Sequence, residues 1–306
     1  MDFYQSSIRP LLFCFDPERI HTRTLQAARG IPTGGIPIPS GSGSTAINRP
    51  GPAGSNLTFD NTTSTTLPAI VPGQGLGPTV SSQRSDIITF LMTDTLLGAL
   101  STNTGLAGQA TLAADGSSLA IGSQAAWKNG NPAGGVPAVA VGDLLWLSNS
   151  NGGTLQTVTA VDASRVYFGL HDWFNFNQPG AEQGSVSQIV ANPMPQGSVS
   201  RVLMLTYYVD ASSSATPRLT RVRNSGSPEA LAGVFEELEF FYDIVDGATN
   251  PTLQDTTSSP NQIRKVTIHL GVRSDTLSPV RNDYVRNHVS TALSIRSLAY
   301  FDRYVP

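Results

Sequence analysis

The side chains able to do chemistry are few and scattered. Four histidines, His21, His171, His269 and His288, lie far apart, and none sits in an HxxxH or HExxH unit that would set two ligands on one helix face. No metal site is expected. The single cysteine, Cys14, cannot close an intrachain disulfide and, between Phe13 and Phe15, reads as a small apolar filler. Serines are plentiful, yet none lies in a GxSxG turn beside a histidine and an orienting acid. Glu236, Glu237 and Glu239 stand where a helix is expected to hand over to a strand, so they should project in different directions as a solvated face. GQGLGP at 73–78 resembles a nucleotide loop only superficially: no strand is expected before it, and Pro78 occupies the place of a helix start. No catalytic, cofactor-binding or metal-binding residue is therefore expected. What remains is aromatic. HDWFNFNQPG at 171–180 sets Trp173, Phe174 and Phe176 directly after a strand, where they either cover the end of a sheet or offer another protein a contact. With Phe13 and Phe15 they make up the candidate interface residues.

Composition narrows the classes further. Charged residues are 13% of the chain against a usual figure of about 25%, and Gly (29) and Pro (21) are abundant, which favours strands and turns over helices. A formal net charge of -3 supplies no positive field for phosphates, so no nucleic-acid partner is expected. The length of 306 residues fits one large or two small domains. No apolar run approaches the roughly 18 residues of a bilayer span, and the opening residues lack the basic and apolar regions of a signal peptide.

Three regions must position these residues. Residues 1–30 read as a helical segment, broken at Pro10 and Pro17, with Asp16 as a helix cap. Residues 31–82 read as a Gly/Pro/Ser/Thr-rich linker that buries too little to order itself firmly and partly drapes over the globular body. The body, 83–306, should hold a strand over 87–92, a three-stranded meander over 141–169, strands at 201–209 and 217–223, and closing strands at 263–273 and 289–297. Between them, Ser227, Pro228 and the stripe Leu231, Val234, Phe235, Leu238 predict a short amphipathic helix, followed by a strand with Phe240, Tyr242 and Ile244 on one face. The expected class is α+β, dominated by antiparallel sheet.

Several of these segments, LTYYVD (205–210), TPRLTRVR (216–223), ALAGVFEELEFFYDI (230–244), IRKVTIHLGVRSD (263–275) and VSTALSIRSL (289–298), resemble in order the C-terminal half of PilW-type minor pilins and of J-type pseudopilins of type II secretion. SDIITFLMTD and VGDLLWLSN fit the same family more loosely. The resemblance implies a pilin-like subunit of the cell envelope or pilus, outside the cytoplasm. Such a subunit primes or caps a filament, with other minor pilins or pseudopilins and a tip adhesin as partners and no cofactor. The family's leader and its apolar N-terminal helix of roughly 20 residues, which hold the subunit in the membrane, are not evident here. Separately, MDFYQSSIRPLLFCFDPERIHTRTLQAAR and SSPN (258–261) are similar to pieces of quinone-dependent dihydroorotate dehydrogenase, a flavin enzyme on a (β/α)8 barrel. The two lysines, Lys128 and Lys265, and the missing phosphate loops argue against that enzyme. A secreted β-rich binding module is the third reading, from composition alone.

Overall fold

A computed structural model describes residues 31–32, 34–94, 100–102, 110–121, 139–191, 193–244, 252–254 and 262–294. Eleven strands form the main sheet: β1 (Ile70–Val71), β2 (Ile88–Thr93), β3 (Leu100–Thr102), β4 (Leu144–Asn149), β5 (Gly152–Thr157), β6 (Gly197–Asp210), β7 (Arg218–Arg223), β8 (Glu229–Ile244), β9 (Thr252–Gln254), β10 (Ile263–Arg273) and β11 (Arg286–Ser294). All their pairings are antiparallel. Among the described residues the one α-helix is α1 (Val186–Ile189), so the class expected from composition holds: antiparallel sheet with one short helix. The (β/α)8 barrel of the dehydrogenase resemblance is not present among the described residues.

The 14-residue β6 organises the sheet. Val202 pairs with both Leu144 of β4 and Thr93 of β2, and Leu205 with both Arg223 of β7 and Phe90 of β2. β4 and β7 therefore follow one another along one edge of β6, while β2 and β3 occupy the other. One half of β6 belongs to a β5-β4 wing, and the other half to a β7-β8-β10-β11 wing. At the junction Arg201 is held between the carboxylates of Asp94 and Asp143, the latter at 3.3 Å.

β4 explains why its sequence LLWL lacks alternation: both faces are covered. Leu145 and Leu147 face a four-stranded sheet (Thr111–Leu112, Ser118–Ala120, Arg165–Tyr167, Ala160–Val161) and α1, whereas Leu144 and Trp146 face the segment that precedes β1. The expected meander is thus only a β4-β5 hairpin, because its third run crosses to the small sheet. The linker expectation also needs correction. Ile36, Ile38, Ile47, Phe59 and Leu67 are buried against Trp146, Leu155, Phe174 and Phe176, making the Gly/Pro-rich stretch one wall of the core. Its prolines and glycines break the backbone into two-residue strands without preventing its few large apolar side chains from reaching the sheet.

The helix expected over Pro228–Leu238 is a strand, β8. Its 3-4 spacing comes from a bulge: Phe235 pairs with Val272 and Glu237 with Gly271, leaving Glu236 as the extra residue. One inserted residue converts the strand period of two into a step of three, so Phe235 and Leu238 point the same way and imitate a helical stripe. Beyond the bulge Leu238, Phe240, Tyr242 and Ile244 alternate regularly and pack with Val266, Ile268 and Leu270 of β10. The N-terminal helical segment, with Phe13, Cys14, Phe15 and His21, lies outside the described residues, as do Lys128 and SSPN.

Candidate interaction surface

The aromatic loop after the Arg165–Tyr167 strand is built from its base. Asp172 is buried, and its carboxylate accepts the hydroxyl of Thr157 and the amides of Phe176 (3.2 Å) and Asn177 (2.9 Å). Asn177 completes the clamp: its amide donates to the carbonyls of Thr157 and Gly169 at 2.8 Å, while its Oδ1 accepts the Thr157 N–H. Such a network, satisfied on both sides, fixes a loop more firmly than any single bond. His171 (φ 62°) and Asn175 (φ 65°) supply the two left-handed residues that the tight path needs.

Segment 45–48 grips the loop from outside. Asn48 donates from its backbone to the Phe174 carbonyl and from its side chain to the Trp173 carbonyl, and Asn175 Nδ2 donates to Thr45 Oγ1 and the Ala46 carbonyl. The consequence is a division of the three aromatics. Phe174 and Phe176, with centroids 5.2 Å apart, are fully buried in the core, so packing describes them. Trp173 sits edge-on to Phe174 at 4.9 Å and is 49% exposed. Leu170, at 60% exposure, stands three residues earlier in the same loop, an exposure that local composition does not reveal. A rigid loop presenting an indole and a leucine is the form of an interface anchor, since little entropy remains to be lost on contact.

The remaining chemical side chains are engaged structurally. Glu236 bonds Arg273 (3.1 Å) and Arg286 (2.8 Å), and Glu237 Oε2 lies 3.1 Å from His288 Nδ1, so these two acids are half-buried partners rather than a solvated face. Gly271 makes the second contact possible, because a Cβ there would stand 2.8 Å from Glu237 Cβ. The ring of His269 lies 4.7 Å from Phe241, on the face opposite Ile268 and Leu270. Among the described residues no group of three His, Cys, Asp or Glu is placed to hold a metal.

GQGLGP is closed by protein instead of presenting itself to phosphate. Gly75 (φ 59°) donates its N–H to Asp86 Oδ1 at 2.7 Å, and a two-residue hairpin, Thr79–Val80 with Gln83–Arg84, follows where a helix would be needed. Asp86 also binds the edge of β8, accepting the Phe240 amide (2.9 Å) and donating its own to the Leu238 carbonyl (2.9 Å). Nearby, Arg49 is buried under Gly73 and Phe59 and donates to the Val71 and Pro72 carbonyls. Burial lowers its guanidinium to about 10, partly opposed by the Tyr242 phenol. These groups tie the Gly/Pro-rich wall to β8.

Comparison of the chain with protein-family models, with curated proteins and with solved structures finds no match.

Proposed function

We propose that the chain is a structural subunit of the minor-pilin or pseudopilin type, which primes or caps a type IV pilus or a related secretion pseudopilus through protein contacts outside the cytoplasm. One observation carries the reading: the five family-like segments occur in order over residues 205–298, and each includes part of one of the neighbouring strands β6, β7, β8, β10 and β11. A resemblance spread over neighbouring strands of one sheet is harder to obtain by accident than one confined to a single turn. The exposed Trp173 and Leu170 give such a subunit a contact surface separate from that wing. No step of this role requires a cofactor or a reaction.

Co-expression with pilin-like subunits, followed by isolation of the complex, tests the proposal. The chain should co-purify with them, and Trp173→Ala should weaken that association while changing stability by less than about 0.5 kcal/mol, the range of ordinary surface substitutions. A purified chain that carries stoichiometric flavin absorbance, or a complex that never forms with any pilin-like subunit, overturns it.

A further inference from the structure

Among the described residues the free edges of the long strands of the main sheet other than β11 are engaged by neighbouring groups. β5 is engaged at Thr157, whose N–H donates to Asn177 Oδ1 and whose carbonyl accepts from Asn177 Nδ2. β2 is lined by β1 and by the Ala69 carbonyl. Where β8 leaves β7, the Pro217 carbonyl, Asp86 and β9 take over its edge. β11 differs. Its nine residues run beside β10 in unbroken register, from Arg273↔Arg286 to Lys265↔Ser294, and among the described residues no strand or side chain binds its outer edge.

Apart from the charge of Arg286 at its first position, the usual protections are absent. β11 contains no proline, glycine, lysine or bulge, and Arg286, Asn287, His288, Ser290 and Ala292 are exposed. A long regular edge of that kind is a template for another strand, which native proteins otherwise block. The loop entering it adds exposed apolar side chains: Leu277, Val285 and Val280, the last 94% exposed. That loop is ordered, with Ser278 bonded to Asp283 and Asn282, and Tyr284 stacked on Arg273 at 3.9 Å.

From this edge we infer that β11 pairs antiparallel with β11 of a second copy of the chain, joining two sheets across a two-fold axis through Ser290. Two-fold symmetry requires the same patch on both sides, and it makes an edge-to-edge pair antiparallel. In that register Ser290 faces its own copy, Val289 faces Thr291, His288 faces Ala292, Asn287 faces Leu293 and Arg286 faces Ser294. Arg286, the one fully charged residue of the strand, thus meets a serine at the far end, and no like charges oppose each other. Small Ser, Thr and Ala side chains at the centre allow close approach. The pairing does not depend on the filament reading, since it uses backbone groups that any role would leave at the same edge.

Sedimentation velocity of the full chain over a concentration series, with hydrogen exchange on 286–294, tests it. Expected are a concentration-dependent dimer and slowed exchange along β11 in the dimer. Ser290→Lys places like charges opposite each other at the axis and should raise the dissociation constant roughly tenfold or more. Ser290→Glu should do the same. Mixing the two variants should restore association, because only the mixed pair sets opposite charges together. Circular dichroism and the melting temperature verify that each variant is folded. A strictly monomeric chain with fast β11 exchange overturns the inference, as does a dimer indifferent to both substitutions. Protection of β11 that appears only with a different pilin-like subunit overturns it too, in favour of that subunit's strand.

Discussion

Tyr242→Phe isolates a single buried oxygen. The Tyr242 ring is 1% exposed and packs within the cluster that includes Phe240, Ile244, Val266 and Ile268, but its hydroxyl has no hydrogen-bond partner among the described residues. An unsatisfied buried polar group costs about 1–3 kcal/mol, and phenylalanine keeps the ring while removing that group, so the variant should be more stable by about 1 kcal/mol at neutral pH. The pH dependence gives an independent check. Burial raises the Tyr242 phenol above its ordinary value, the Asp86 charge adds to this and Arg49 opposes it. An unfolded tyrosine loses its proton near pH 10 while the folded one keeps it, so the unfolded state binds fewer protons and stability falls as pH rises above about 10. At about pH 11 the native chain should have lost roughly 1.4 kcal/mol that the phenylalanine variant retains. Effects of groups that do not interact with Tyr242, including Tyr208, whose phenol burial pushes up to about 12, are common to both proteins and cancel in the difference. Urea unfolding at the two pH values measures it. A variant destabilised by more than about 1 kcal/mol at neutral pH, or two proteins with the same alkaline loss, would refute the reasoning.

Three further outcomes follow from the packing. Phe235→Ala should cost roughly 3–5 kcal/mol in denaturant unfolding, whereas Leu231→Ala, half-buried in the strand, should cost clearly less; equal costs would favour the helical stripe. Gly153→Ala would drive a Cβ into the Trp146 ring, so it should destabilise by about 1–3 kcal/mol and alter tryptophan fluorescence; an unchanged spectrum and melting point would contradict that contact. Native-state hydrogen exchange should show slow amides at Ile38, Asn48 and Arg49, which donate to Thr65, Phe174 and Leu57, and uniform fast exchange across 36–71 would restore the linker reading.

The sheet was legible where alternation or a continuous apolar run could be explained by one strand and its immediate neighbours. LTYYVD, IRKVTIHL and LLWL read as strands because β-prone side chains recur at the period their burial requires. The period failed at β8, where Ser227 and Pro228 imitate a helix start and a bulge at Glu236 supplies a helix-like step. A bulge depends on what the partner strand offers, here Gly271 opposite Glu237, and that pairing lies some thirty positions away in the chain. Similarly, the wall formed by residues before β1 was hidden by its composition. Ile36, Ile38, Ile47 and Phe59 are too sparse to form a core together, and they become one only against Trp146, Phe174 and Phe176.

The same distinction separates the parts of the candidate surface. The sequence could group Trp173, Phe174 and Phe176, because aromatic content is local, but it could not divide them. That division follows from Asp172 and Asn177 reaching Thr157, and from Asn48 reaching two loop carbonyls more than a hundred residues away. Once the loop is held in this way, Phe174 and Phe176 must enter the core and Trp173 must stay at the rim. The edge of β11 is still less visible, since a row of free backbone groups leaves no mark in side-chain composition. Only the arrangement of the other long strands, engaged by an asparagine amide, by loop carbonyls, by a carboxylate or by a short neighbouring strand, makes its openness a property of the fold. Side-chain chemistry therefore marks the contact proposed at Trp173, and topology the pairing proposed at β11, so substitutions at Trp173 and at Ser290 should act on different associations.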